Sequence, residues 1–253
     1  MPRMTGGRFI AETFHGYGVT HVFFMPYIVP RALYEMETLG MRRIMAHCEK
    51  GAAYMADGYA RAGRRAGVCM AQSVGAANLA AGLQDAWLAC SPVISLTGRR
   101  EQILQTRHAY QEIEHHGLFA PVTKYDVLVN HPDQLPYFLR QAFREATSGT
   151  PGPVHLDLEG AGGHAIAEAE AEREVIVEPD YGRVPPLRPE PELSRVREAI
   201  RMLVQAERPV IVAGGGVTAS GARPELVELA EKLSIPVATS LNAWLASIVA
   251  GAP

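Results

Sequence analysis

Short apolar runs alternate with amphipathic helical patterns over the first 160 residues, and this alternation limits the possible folds more than any other feature. Continuous apolar runs of four or five residues are typical of strands that are buried on both faces. Strands are predicted at 21–24, 43–46, 67–71, 92–96 and 154–158, and helices at about 5–17, 30–40, 50–62, 76–89 and 133–147. Because each helical crossover lays a helix back on the sheet, the pattern predicts an α/β fold with a doubly wound, mostly parallel sheet.

The composition changes after residue 160. Residues 161–190 contain glycines, an acidic tract at 167–172 and the proline-rich stretch 184–189, which together predict an extended linker. We therefore predict a first domain at 1–160, a linker at 161–190 and the amino-terminal part of a second α/β domain at 191–253. In that second part we expect helices near 191–206 and 223–233 and strands at 209–213 and 235–239.

Composition excludes several classes of protein. The chain has 253 residues, 47% of them hydrophobic, and a net charge of −3, so neither nucleic acid nor a membrane surface is an expected partner. No apolar run approaches the roughly 20 residues needed to span a bilayer. The three cysteines form no C-x-x-C pair, which argues against a disulfide framework or zinc site and favours the cytoplasm.

A carboxylate stands at the junction between the predicted strand 43–46 and the helix that follows it. Open α/β sheets bind ligands beyond the carboxyl ends of their strands, so Glu49 is placed where a catalytic or binding group would be. The alternative is a first-turn glutamate that merely stabilises the helix dipole. Gly51 and Gly58 leave one helix face nearly free of side chains, which favours close approach by another group.

A second small-residue turn follows the strand 67–71. Ser73, Gly75 and Asn78 lie between that strand and the next helix. These residues are interpreted either as a tight turn with Ser73 as a helix cap, or as a loop whose backbone approaches a ligand beside Glu49.

Two other patterns have alternative interpretations. The stretch 214–219 formally fits a G-x-G-x-x-[GA] dinucleotide loop, but the next strand ends without an acidic residue, so a structural glycine turn is favoured over a nucleotide site. His115 and His116 are adjacent, a spacing that favours a solvated loop or helix start over a metal site.

In order along the chain, these pieces resemble the amino-terminal half of thiamine-diphosphate-dependent enzymes of the acetolactate synthase, pyruvate oxidase and 2-oxo-acid decarboxylase family. The segments that match are 21–23 with Pro26, 49–61, 71–79, 109–112, 120–125, 152–158, 209–216 and 235–239. The resemblance implies that residues 1–160 form a domain that binds the cofactor's pyrimidine ring.

The resemblance also implies roles for particular residues. Glu49 would be the catalytic glutamate that hydrogen-bonds the aminopyrimidine ring, which then removes the thiazolium proton. The residues implied to bind the cofactor are Glu49, Pro26, Ser73, Gly75 and Asn78. Tyr110 and Gln111 would lie near a 2-oxo acid substrate. FAD is a further candidate cofactor for the second domain.

The sequence also departs from the family pattern. The stretch 24–27 places bulky residues around Pro26 where the family has glycines, and the Ser73 loop lacks the family's proline. The chain contains no Gly-Asp-Gly motif for diphosphate and Mg²⁺, so we expect those ligands outside it and predict no metal ligand within it. A homodimer, a homotetramer or a second chain would then complete the site.

These observations predict the amino-terminal portion of an acetolactate synthase-like decarboxylase or carboligase. Two alternatives stay open. The first is a noncatalytic binding or regulatory module that retains the fold, and the second is a nicotinamide oxidoreductase that uses the Gly214 turn.

Overall fold

A computed structural model of the chain describes residues 2–243. The chain divides into two compact units, Met1–Pro186 and Leu187–Pro253, and each is described by itself. The last ten residues of the predicted second domain, 244–253, lie outside the described residues. The domain limits at 160 and 190 stay predictions.

The first unit alternates strands and helices along its whole length. Its elements are β1 (Arg3–Thr5), α1 (Gly6–Gly16), β2 (His21–Phe24), α2 (Pro30–Thr38), β3 (Arg42–Met45), α3 (Glu49–Gly63), β4 (Gly67–Ala71), α4 (Ala76–Leu88), β5 (Val93–Arg99), α5 (His116–Phe119), β6 (Tyr125–Val129), α6 (Leu135–Thr147), β7 (Val154–Glu159), α7 (His164–Ala167) and β8 (Glu170–Glu172). A 3-10 turn, Ser73–Gly75, connects β4 to α4.

Six of these strands form one parallel sheet in the order β3-β2-β4-β5-β7-β6. One hydrophobic cluster includes residues of α1, α2 and α6, with Phe14, Met36 and Phe143 among its members. A separate cluster includes α3, α4 and Phe119, with Ala53 and Leu83 among its members. Helices thus cover both faces, and the predicted doubly wound parallel fold is confirmed.

Local sequence explains several helix boundaries. The Thr5 hydroxyl accepts a hydrogen bond from the backbone N–H of Arg8 at 3.2 Å and so caps α1. Pro30 occupies the first turn of α2, where its missing N–H has no cost. Cys48 precedes α3 in an extended conformation, and its Sγ accepts from the N–H of Gly51 at 3.3 Å. These residues determine where α1, α2 and α3 begin.

The segment predicted as an extended linker contains regular structure within the first unit. β8 pairs antiparallel with β1, and Arg173 Nη1 donates to the carbonyl oxygen of Met4 at 2.8 Å. Residues 161–186 of the predicted linker thus belong to the first unit.

In the described part of the second unit, residues 187–243, helices alternate with two parallel strands. They are α8 (Leu193–Gln205), β9 (Ile211–Ala213), α9 (Gly215–Ser220), α10 (Arg223–Leu233) and β10 (Val237–Thr239). All four predicted elements are present within two residues of their expected limits. Among residues 2–243, no helix combines the length and apolar character needed to cross a membrane.

Candidate cofactor site at the carboxyl edge of the sheet

The sheet topology defines a place where a ligand can enter between adjacent connections. β2 and β4 are neighbours, yet the connection after β2 leads to α2 on one face while that after β4 leads to α4 on the other. Such a switch point opens a crevice beyond the carboxyl ends of the strands. Pro26 follows β2 and is exposed at this edge, and Ser73 follows β4.

Glu49, Gly75 and Asn78 meet at this edge and are called here the Glu49 corner. Glu49 is the first residue of α3, and its side chain is partly buried. Asn78 Nδ2 donates to Glu49 Oε2 at 3.2 Å. Within the described residues, Glu49 Oε1 has no hydrogen-bond donor, so one carboxylate oxygen is left for another partner.

Gly75 makes room for this carboxylate. A Cβ added at Gly75 would lie 2.5 Å from Glu49 Oε1 and 2.7 Å from its Cγ, well inside contact distance. Only a glycine therefore allows the Glu49 side chain to occupy its present position beside the turn. The small-residue loop that is predicted to approach a ligand thus lies against the predicted catalytic carboxylate.

Ser73, Val74 and Gln111 form a second element of the site, called here the Ser73–Gln111 wall. The buried Ser73 hydroxyl donates to the carbonyl oxygen of Gln111 at 2.7 Å. The N–H of Val74 also donates to Gln111, to its side-chain oxygen Oε1, at 2.8 Å. Gln111 is only 6% exposed and has a φ of 69°, a left-handed conformation that non-glycine residues adopt only when their surroundings hold them.

Tyr110 and Pro26 are less constrained than the other predicted site residues. The Tyr110 side chain is 77% exposed, whereas its neighbour Gln111 is buried in the wall. Beyond Pro26, the Tyr27 ring lies against Gly162, where an added Cβ would come within 2.7 Å of it. The predicted bulk of 24–27 is therefore partly accommodated by a glycine of the β7–α7 connection.

Glu112 organises the loop that precedes Gln111. Its carboxylate accepts from the backbone N–H of Ala109 at 2.8 Å and also from those of Thr106 and Arg107. These hydrogen bonds, that from Ala109 first, lower the pKa of Glu112. The loop that presents Tyr110 and Gln111 is thus tied around an ionised carboxylate.

The two adjacent histidines have different environments. His116 is the first residue of α5, which agrees with the predicted helix start, and its side chain is 73% exposed. His115 is fully buried, so its interpretation as a solvated residue is wrong. Its ring contacts Asp157 and Ser73, which lie 42 positions away in the chain in either direction.

Sequence reasoning missed a group of buried polar residues behind the Ser73–Gln111 wall. They are called here the buried network and comprise Thr97, His115, Asp126, His155 and Asp157. The signal available was the polar residue at alternate positions of the strand 154–158, where His155 and Asp157 interrupt an otherwise apolar run. That alternation places both side chains on one face of the sheet.

The glycine-rich turn of the second unit has a simple structural role in its own region. Gly214 precedes α9, a helix of six residues, and β10 ends in Val237–Thr239, without a carboxylate for ribose hydroxyls. This arrangement agrees with the structural interpretation of the turn.

Taken together, the open parallel sheet, the carboxylate at a strand-to-helix junction and the small-residue turn beside it define a cofactor-binding α/β domain. Residues 4–118 match the thiamine pyrophosphate enzyme, N-terminal TPP binding domain, and residues 196–248 match the thiamine pyrophosphate enzyme, central domain. The chain belongs to the thiamine pyrophosphate enzyme family.

Curated relatives agree with this assignment. The chain is 38% identical over 245 residues to a probable acetolactate synthase large subunit of Methanocaldococcus jannaschii, an alignment that covers 94% of this chain and 40% of the relative. It is 35% identical over 247 residues to the acetolactate synthase isozyme 1 large subunit of Escherichia coli, covering 95% and 42%. The chain thus spans about two fifths of the length of the curated relatives it matches, and it is similar to the amino-terminal portion of an acetolactate synthase-like enzyme.

Proposed function

We propose that this chain supplies the pyrimidine-binding part of a thiamine diphosphate enzyme that decarboxylates or carboligates a 2-oxo acid, as an acetolactate synthase does. The observation that carries the proposal is the Glu49 carboxylate, held at a strand-to-helix junction with Oε1 unpaired among the described residues. A partly buried carboxylate oxygen without a donor is a suitable partner for an N–H of a heterocyclic ring.

The residues present fit the cofactor's aminopyrimidine. Gly75 leaves space at the carboxylate, and Asn78 donates to Oε2, so that Oε1 is the oxygen proposed to meet the ligand. In this arrangement Glu49 holds or shares a proton at the ring nitrogen, while the Ser73–Gln111 wall limits the movement of the turn beside it. When bound, thiamine diphosphate supplies the carbon nucleophile that attacks the carbonyl of a 2-oxo acid. Tyr110 and Gln111 are proposed to lie near that substrate.

The proposal also states what this chain leaves to others. Mg²⁺ and the diphosphate would be held outside residues 1–253, by a further domain in a homodimer or homotetramer or by a second chain. We therefore expect the 253-residue chain alone to be inactive. A cytoplasmic location is part of the proposal, and FAD is a candidate for the second unit, to be tested by flavin absorbance of the purified protein.

The direct test is Glu49→Gln in the complete enzyme. The amide keeps the size of the side chain but cannot share a proton with the ring nitrogen, so cofactor-dependent turnover of 2-oxo acids should be abolished. Glu174→Gln is the matched control, because Glu174 is exposed in the same unit, and it should leave turnover unchanged. Retained turnover in Glu49→Gln would refute the assignment of Glu49.

The main alternative is a noncatalytic module that keeps the fold, an idea motivated by the bulky residues at 24–27. Titration calorimetry of the complete protein with thiamine diphosphate and Mg²⁺ separates the two. Saturable heat supports the enzyme, and its absence supports the module.

A further inference from the structure

The buried network connects the interior of the sheet to the Ser73–Gln111 wall. Thr97 lies on β5, His155 and Asp157 on β7, and His115 immediately before α5. Three of these side chains are completely buried, and Asp157 is 3% exposed. Polar groups at such depth are costly unless each one is hydrogen-bonded.

The hydrogen bonds form one continuous chain. Asp126 Oδ1 lies 2.6 Å from His155 Nδ1, and His155 Nε2 lies 2.7 Å from Thr97 Oγ1. Thr97 donates to Asp157 Oδ1 at 2.8 Å, and the same oxygen lies 3.0 Å from His115 Nδ1. His115 Nε2 then reaches the carbonyl oxygen of Ser73 at 3.1 Å. The network therefore ends on the backbone of the turn that borders the Glu49 corner.

Both ring nitrogens of His115 have hydrogen-bond partners. Its Nε2 faces the Ser73 carbonyl, which only accepts, at 3.1 Å, and the Ser73 hydroxyl lies 3.3 Å from the same nitrogen. Its Nδ1 faces the Asp157 carboxyl group at 3.0 Å and the Thr97 hydroxyl at 3.3 Å. The ring is therefore held between the turn at Ser73 and the strands β5 and β7.

His155 is held in the same way. Its Nδ1 faces the Asp126 carboxylate, and its Nε2 faces the Thr97 hydroxyl. The buried network thus connects both histidine rings and both carboxyl groups through Thr97. Asp126 also accepts from the exposed His116 at 2.6 Å, which connects the network to solvent.

A metal ion is the other arrangement that these residues suggest. One ligand atom each from His115, His155 and Asp157 lies within 4.8 Å of the others. However, Thr97 Oγ1 lies within 3.3 Å of all three atoms and occupies the space that an ion would need. Hydrogen bonding accounts for the cluster without an ion.

We propose that His115 is a positioning residue, whose buried ring holds the Ser73 carbonyl through Nε2 and thereby fixes the Ser73–Gln111 wall beside the cofactor. The wall needs such support because Gln111 is held in a left-handed conformation and its side-chain oxygen is the acceptor for the N–H of Val74. The effect on the cofactor rests on the proposed function, whereas the effect on the wall does not.

The first experiment is independent of any cofactor and uses the 253-residue chain. Nuclear magnetic resonance of the histidine rings should show an N–H signal at His115 Nε2 that is protected from exchange with solvent. In His115→Leu, amide exchange at Val74 should accelerate at least tenfold, whereas exposed His15→Leu should leave it unchanged. A His115 Nε2 without a hydrogen, an unchanged Val74 exchange rate, or stoichiometric Zn²⁺ binding with loss of the ring signal would overturn the proposal.

A double variant keeps the test decisive if His115→Leu does not fold. In His115→Gln/Asp157→Asn, an amide pair replaces the histidine–aspartate pair, and the Gln amide can still donate to the Ser73 carbonyl. The single His115→Gln variant leaves the buried Asp157 without its imidazole partner, so its Val74 exchange should be fast and the double variant should restore a rate near that of the parent. Fast exchange in both variants would contradict the positioning role.

The consequence for the cofactor is measured in the complete enzyme. His115→Gln should raise the KM for thiamine diphosphate about tenfold, the effect of losing one buried hydrogen bond, and change kcat much less. The double variant should recover most of that loss. If the parent enzyme shows no cofactor-dependent turnover, the proposed function fails while the exchange result still decides the role of His115. An equal loss in kcat with KM unchanged would overturn the proposed link to cofactor binding.

Discussion

The Glu49 corner and the buried network belong to the same α/β unit, but they differ in how completely their polar groups are paired. Glu49 has one side-chain hydrogen bond within the described residues and keeps an oxygen free. Each titratable member of the buried network has at least two hydrogen-bond contacts and little or no contact with solvent. The comparison indicates that the group proposed to bind the cofactor keeps a free oxygen, while the groups behind it are paired within the protein.

The largest effect on stability is expected from Asp157→Ala. Removing this carboxylate leaves the His115 ring and the Thr97 hydroxyl buried without their common partner. Each buried polar group left without a partner costs about 1–3 kcal/mol, so the free energy of unfolding should fall by about 2–6 kcal/mol. Urea unfolding of the variant and the parent chain measures the difference.

The control is Asp180→Ala, because Asp180 is an exposed carboxylate paired with Arg183. An exposed pair contributes at most about 1 kcal/mol. Equal losses in the two variants would remove the distinction between the buried network and an ordinary surface pair.

A smaller, pH-dependent effect is expected from Asp126→Asn. Burial alone raises the pKa of Asp126, but the hydrogen bonds and charges of His155 and His116 outweigh it and lower the pKa overall. A carboxylate with a lowered pKa stabilises the fold above its unfolded-state pKa, about 3.9, and loses that contribution as the pH falls through the folded-state value. The stability gap between parent and variant should be about 1–3 kcal/mol at pH 7 and should shrink below pH ~4.

Unfolding curves at several pH values between neutral and acid check this expectation. Asp133→Asn is the matched control, since Asp133 and His131 form an exposed pair. A gap for Asp126→Asn that stays constant as the pH falls would show that the charge of this residue contributes nothing.

The sequence predicted the elements of the fold better than the contacts of the site. Continuous apolar runs identified five of the six strands of the parallel sheet, but β6 was missed because Asp126 interrupts its short run at the sheet edge. The glycines and Glu49 were recognisable because their positions between a strand and a helix have a known geometric meaning.

His115 could not be predicted from its neighbours. Its environment depends on Ser73, Thr97 and Asp157, which come from other elements and only meet once the sheet has formed. Local pattern therefore described the exposed His116 correctly and its buried neighbour incorrectly.

Gly75→Ala is expected to have a modest effect on stability and a larger one on function. The added Cβ would overlap the Glu49 carboxyl group, but that group lies at the end of a flexible side chain and can move away. We expect a loss of about 1 kcal/mol in stability, the lower end of the cost of overpacking, and a clear fall in thiamine diphosphate-dependent turnover of the complete enzyme.

Gly58→Ala on α3 provides the comparison, because an added Cβ there meets nothing within 4 Å. That variant should be as stable as the parent or more so, since alanine is the better helix former. Unchanged turnover in Gly75→Ala would show that the position of the Glu49 carboxylate is not limiting.

The smallest effect on stability is expected from Glu49→Gln, and it distinguishes the two interpretations of this residue. As a first-turn carboxylate, Glu49 gains about 0.3–1 kcal/mol from the helix dipole, and the Gln carbonyl can still accept the hydrogen bond from Asn78. Urea unfolding of the 253-residue chain should therefore show a loss below about 1 kcal/mol. A loss above about 2 kcal/mol, beyond what a favourable dipole contact supplies, would mean that Glu49 stabilises α3 and would weaken its assignment as a group kept for the cofactor.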